Sequence, residues 1–194
     1  MKDTLTAYRA TLRTPRRSEE MAYALGVDIG FNKAPTACAM LGFQGGTPLL
    51  KWTHSISGRG KDWQGRVNFI AADFALWLRI EVLPYWPPFL VAFELAHVQS
   101  NPQTALRLAD LAGAIRGIAL AYQLDAIGVE PSQSKVALAN SSTATKADMM
   151  KRAALLFGRS FTEHEADAVA HALSGQAIYH RSRLIAAAQE DRRD

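Results

Sequence analysis

The sequence predicts a mixed α/β fold, a five-stranded sheet flanked by helices. Two observations predict it. Three apolar runs separated by turn residues open the chain, and strand-like and helix-like runs alternate after them. A third observation points at function: two of the strands carry a carboxylate at or near their C-terminal end, Asp28 and Glu94. An unpartnered carboxylate is expensive to take out of water, so a hydrogen-bond network, a cation or a metal has to meet it.

The first strand is residues 22–29, with Tyr23-Ala24-Leu25-Gly26-Val27-Asp28-Ile29-Gly30 at its heart. After a turn at residues 31–35, Thr36 to Leu41 is a second apolar run. Gly42 to Pro48 is turn-rich, with Gly45-Gly46 its strongest signal, and Leu49 to Ile56 alternates as a third strand. Together they form an antiparallel meander. Ser57-Gly58-Arg59-Gly60-Lys61 is a flexible basic loop. Trp63, Val67, Ile70, Phe74, Trp77 and Leu78 have helical spacing over 63–82, and Pro84, Pro87 and Pro88 stop that helix. Residues 89–95 are a continuous apolar strand of the buried kind, ending near Glu94.

Asn101-Pro102 opens a long helix to about Tyr122, with Asn101 as cap and Pro102 in the first position. Its small residues, among them Ala109, Gly113 and Gly117, permit close packing of another element. Residues 125–130 form a fifth strand, ended by Pro131. Ser132 to Ala139 is a short helix, Asn140 to Thr143 a polar loop, and Thr145 to Phe157 a further helix. The last helix runs from Glu163 to about Ala188, capped at Thr162-Glu163. No repeat or linker divides residues 21–189, and residues 1–20 read as an N-terminal extension. A meander followed by parallel strands is the element order of RNase H-like folds, which carries no function by itself.

The net charge of +4 permits nucleic acid as a partner without demanding it. Half of that charge lies in residues 1–20, where five basic side chains stand against three acidic ones. The lone Cys38 excludes an intrachain disulfide and a cysteine-rich zinc site. An intracellular, cytoplasmic setting fits best. No segment approaches the roughly 18 apolar residues of a membrane helix, and the N-terminus lacks the apolar region of a secretory signal.

In this element order Asp28 and Glu94 stand on neighbouring central strands. The last helix crosses the sheet with His164 and Asp167 on one face, since positions three apart are neighbours on a helix. Three acids and a histidine at one point repel one another unless cations occupy the site. Oxygen-rich sites suit Mg²⁺ or Mn²⁺. Two such ions about 4 Å apart activate a water and stabilise the leaving oxygen in phosphodiester cleavage. His171, one turn after Asp167, reads as a packed or surface histidine. A zinc site from His164, Asp167 and His171 lacks the HExxH spacing.

Four stretches resemble the RuvC-type Holliday-junction resolvases. They are Leu25 to Gly30; Phe93-Glu94 with the helix from Asn101-Pro102; Glu130 to Lys135 with Thr143 to Met150; and His164-Glu165-Ala166-Asp167. The resemblance spans roughly residues 22–181 and suggests a divergent or phage-type member. It implies a metal-dependent endonuclease that resolves four-way DNA junctions by paired symmetric nicks, working as a homodimer. Asp28, Glu94, His164 and Asp167 would hold two Mg²⁺ or Mn²⁺ ions, with His164 a ligand or a group assisting the attacking water. Lys135 and Lys146 would contact DNA at the scissile phosphate, Lys146 as part of the catalytic set. Arg59, Lys61 and His97 complete the expected DNA contacts.

The chain departs from the family pattern in two places. A Gly-x-Gly in the loop between the two lysines is replaced by Ala137-Leu138-Ala139-Asn140-Ser141-Ser142, and an aromatic wedge three residues after the second acid is replaced by His97. A branch or flap nuclease with relaxed selectivity is therefore an alternative. A non-catalytic junction-binding dimer is another, and a sugar-kinase-type ATPase fragment lacks its second phosphate loop.

Overall fold

The computed structural model describes residues 21–30, 34–95 and 102–191. Asn101, His97 and the turn residues 31–33 lie outside them, as does the extension 1–20.

Five strands form one sheet: β1 (Ala22–Asp28), β2 (Thr36–Gln44), β3 (Thr47–Ile56), β4 (Leu90–Glu94) and β5 (Asp125–Val129), in the order β3-β2-β1-β4-β5. β1–β2 and β2–β3 are antiparallel, whereas β1–β4 and β4–β5 are parallel. This is the RNase H-like arrangement that the element order predicts. The meander hairpin is longer than expected. Gly42 continues β2, and the turn narrows to Gly45 and Gly46, whose φ angles of 56° and 83° favour glycine. Pro48 is accommodated because β3 is an edge strand.

Side-chain alternation assigns each strand residue to a face. Leu25, Val27, Val91 and Phe93 pack with Cys38 and Met40 against α1 (Trp63–Trp77) and α2 (Pro102–Ala121). Ala24, Ala37, Ala39, Leu90 and Ala92 form the other core with α3 (Pro131–Ala139), α4 (Lys146–Phe157) and α5 (Glu163–Glu190). The helix expected over 63–82 changes character at Leu78. Its last turn is a π-helix, Leu78–Val82, in which the Leu83 N–H donates to the Leu78 carbonyl at 2.9 Å. That wider turn lets both Leu78 and Val82 bury completely. Among the described residues, no helix is long and apolar enough to cross a membrane.

The face under α5 is lined by small residues, and this sets how closely the helix lies on the sheet. A Cβ at Gly26 would overlap the Ala168 carbonyl and stand 2.6 Å from the Ala172 nitrogen. A Cβ at Gly175 would overlap the Ala92 methyl group. α5 thus crosses β1 and β4 almost backbone to backbone.

Candidate metal centre

Asp28 is the last residue of β1 and Glu94 the last of β4. Both share a face with the small residues beneath α5, because Asp28 follows Gly26 by two and Glu94 follows Ala92 by two. The parallel register pairs Val27 with Phe93, so the two carboxylates emerge side by side at the C-terminal edge of the sheet. Asp28 is only 8% exposed.

α5 supplies the groups that meet them. Its start is pinned by a capping box: the Glu165 N–H donates to Thr162 Oγ1, and the Thr162 N–H donates to Glu165 Oε2 at 2.9 Å. Glu165 Oε1 also accepts from Thr53 Oγ1 of β3 at 2.7 Å and from Arg159 Nη2 at 3.1 Å. Burial raises the Glu165 pKa, but these bonds outweigh it and hold the carboxyl at about 2. The helix start is therefore fastened to the sheet, and its phase is set.

That phase turns residues 164, 167, 168, 171, 172 and 175 toward the sheet. His164 Nδ1 donates to Asp28 Oδ2 at 2.7 Å, and this bond raises the histidine pKa above its ordinary value, more than burial lowers it. Asp167 is pushed up to about 6 by burial first and by the nearby Asp28 charge second. His171 is 2% exposed, and burial pushes its pKa down to about 4, so its ring is neutral at neutral pH. Its Nδ1 lies 2.7 Å from Ser134 Oγ, while its Nε2 is buried with no hydrogen-bond partner and lies 3.8 Å from Glu94 Oε2.

One ligand atom from each of Asp28, Glu94 and His171 lies within 4.8 Å of the others. Two carboxylate oxygens and a bare imidazole nitrogen are a competent donor set for a divalent cation. The orphaned Nε2 beside two carboxylates is the observation that favours a cation here, because most buried polar groups are paired. The residues present therefore fit a metal ion.

Of the four expected ligands, Asp28 and Glu94 stand together. His164 reaches the same point through its bond to Asp28, and Asp167 lies within the electrostatic reach of Asp28. His171 was read as a packed or surface histidine. It is packed, and it also completes the cluster. The signal available in the sequence was its place on the same helical face, seven residues after His164.

Lys135, on α3, and Lys146, at the start of α4, both lower the Asp167 pKa, so both stand near the acids. Lys146 is ion-paired with Glu163, and its side chain is 68% exposed. Arg59 is exposed and lies over the Phe69 ring, and Lys61 is exposed beside it in sequence. Their loop leaves β3 at the edge of the sheet where Asp28 ends β1, since Asp28 pairs with Ala37 and Ala37 with Ser55. The loop after α3 has no glycine pair. Asn140 takes the left-handed conformation at φ 57°, and Ser141 Oγ accepts from the Thr143 N–H at 3.3 Å.

No family model matches the chain, and no curated protein matches it. Among solved structures it is similar to Thermus thermophilus RuvC in complex with a Holliday junction substrate: TM-score 0.68, 23% identity, over 83% of this chain and 96% of that one. A second Thermus thermophilus RuvC structure gives a TM-score of 0.66 at 23% identity, over 82% of this chain and 96% of that one. At this identity the likeness speaks for architecture: the chain has the RNase H-like fold that Thermus thermophilus RuvC has, over nearly the whole length of that protein.

Proposed function

We propose that the protein is a metal-dependent endonuclease that resolves four-way DNA junctions by paired symmetric nicks. The observation that carries this reading is the convergence of Asp28, Glu94 and the unpartnered His171 Nε2 at the C-terminal edge of the sheet. Its fold is shared with a protein whose structure holds a Holliday junction substrate. Asp28, Glu94 and Asp167, with His171, would hold two divalent ions, Mg²⁺ or Mn²⁺, while His164 assists the attacking water. Such ions activate a water and stabilise the leaving oxygen of a phosphodiester.

The chain's own residues do the rest. Asp28 orients His164 through their hydrogen bond, and the partly exposed His164 would accept a proton from the attacking water. Lys135 and Lys146 supply positive charge for the scissile phosphate. Lys146 exchanges Glu163 for phosphate at little cost, because an exposed ion pair is worth only about 0–1 kcal/mol. Arg59 and Lys61 flank the same edge for the strands leading away, and His97 follows Glu94 closely enough in sequence to reach the junction. Two symmetric nicks need two sites, so the working form is a homodimer. The exposed stripe of α2, including Leu106, Gly113, Gly117 and Leu120, is its candidate interface.

The test is cleavage of a labelled four-way junction beside flap and duplex controls, with Mg²⁺, with Mn²⁺ and with a chelator. Paired symmetric cuts in the junction alone, lost with chelator and in Asp28→Asn, are expected. Equal cutting of flaps would shift the function to a general branch nuclease, and cutting in excess chelator would exclude the metal mechanism.

A further inference from the structure

We propose that His171, oriented by Ser134, is a direct nitrogen ligand that makes this centre select Mn²⁺ over Mg²⁺. The proposal rests on the metal-centre reading above and goes beyond it in naming the orienting residue and the ion.

The two nitrogens of His171 have different surroundings. Nδ1 meets Ser134 Oγ at 2.7 Å, and Ser134 is itself 3% exposed. Nε2 is buried and without a hydrogen-bond partner, 3.8 Å from Glu94 Oε2 and in the same cluster as Asp28. A separation of 3.8 Å is too long for a hydrogen bond. It suits two ligand atoms that share an ion about 2.1 Å from each. A histidine that served only as core packing would leave Nε2 against apolar atoms or give it a carbonyl.

Ser134 holds Nδ1, and because its hydroxyl can accept from Nδ1–H or donate to a bare Nδ1, the ligand form proposed is the Nδ1–H tautomer. With Nδ1–H donating to the serine oxygen, the lone pair stands on Nε2 and faces the carboxylates; such an outer partner fixes both tautomer and ring orientation. The serine is rigidly placed. It lies in the first turns of α3, whose start is held by Pro131 and by the Glu130 N–H donating to Gln133 Oε1 at 3.0 Å. His164 cannot play the same part through Nδ1, which is engaged by Asp28.

The choice of ion follows from the donor. Mg²⁺ is a hard cation that favours carboxylates and retained waters. An imidazole nitrogen in the inner sphere favours first-row transition ions, of which Mn²⁺ also keeps carboxylate oxygens as ligands.

The full-length protein is titrated with Mn²⁺ and with Mg²⁺ by calorimetry, and the Mn²⁺ form is examined by pulsed electron paramagnetic resonance for nitrogen couplings. The wild type is expected to prefer Mn²⁺ by about tenfold or more and to show a nitrogen coupling. His171→Gln removes that coupling and brings the preference down about tenfold, with Mg²⁺ binding kept. Ser134→Ala weakens the coupling without changing the fold, and Ser134→Thr restores it. Should His171→Gln not fold, Ser134→Ala and Ser134→Thr carry the test alone. An unchanged coupling and ion preference in the variants overturns the proposal while leaving a metal centre in place. Absence of saturable binding of either ion to the wild type overturns the metal-centre reading itself.

Discussion

Asp167 shows what the carboxylate cluster does to a single residue. Its ordinary pKa is 3.8, and in the fold it is pushed up to about 6. The folded state therefore holds the proton more tightly than the unfolded chain. Ionising Asp167 subtracts stability as the pH rises from about 4 to about 6. Asp167→Asn is expected to stabilise the metal-free protein by about 1–2 kcal/mol at pH 7, allowing for solvent screening at a half-buried site. The gain should vanish near pH 4, and chemical denaturation at the two pH values measures it. The same variant should lose metal-dependent cleavage. His164 has the opposite sign. Its pKa is raised by Asp28, so its bond contributes stability below pH 6.5 and loses it as the pH rises through the raised value. Cleavage should accordingly increase as the pH rises above about 6, where Asp167 and then His164 give up protons. A rate profile flat from about pH 6 upward would contradict these assignments.

The last helix and its landing on the sheet decide the site's geometry at the next scale. Gly26 and Gly175 are required because α5 lies against β1 and β4 with no room for a Cβ. Gly26→Ala is expected to destabilise the fold by about 3 kcal/mol or more, since the obstruction is backbone rather than a flexible side chain. A thermal shift of less than a few degrees would show that the helix can move away. The ion pair between Lys146 and Glu163 joins the starts of α4 and α5. Glu163→Gln leaves Lys146 unpaired and should tighten junction binding a few-fold at low salt, with the gain shrinking as salt rises. Much at this scale was legible in the sequence. All five strands and the five helices were readable from periodicity, proline and capping residues. The π turn at Leu78 was not, because its wider bonding answers to packing against the sheet rather than to local propensity.

Across the whole molecule, β1, β3, β4 and β5 all point their C-terminal ends at one edge, while β2 runs the other way. Acids, basic loops and the start of α5 are gathered there by topology. A site open along one edge suits a polymer substrate better than a small molecule. The proposed paired nicking would further require a second copy. Leu120→Glu on the exposed face of α2 is expected to yield a monomer in sedimentation analysis, with single nicks retained and paired cuts lost. A dimer that persists in this variant would move the interface elsewhere.

The sequence by itself determined the strands, the helices, and the placing of Asp28 and Glu94 at strand ends, because these depend on residue spacing along a few turns or a few residues. It also placed His164 and Asp167 on one helical face for the same reason. Only the tertiary structure decided that His171 belongs with the carboxylates. Its Nδ1 is held by Ser134 from α3 and its unpartnered Nε2 faces Glu94 from β4, and neither neighbour is near it in the chain. The pairing of Lys146 with Glu163 was hidden for a like reason. Helical periodicity tells which way a side chain faces, whereas what it faces is set by the close crossing of α5 over Gly26.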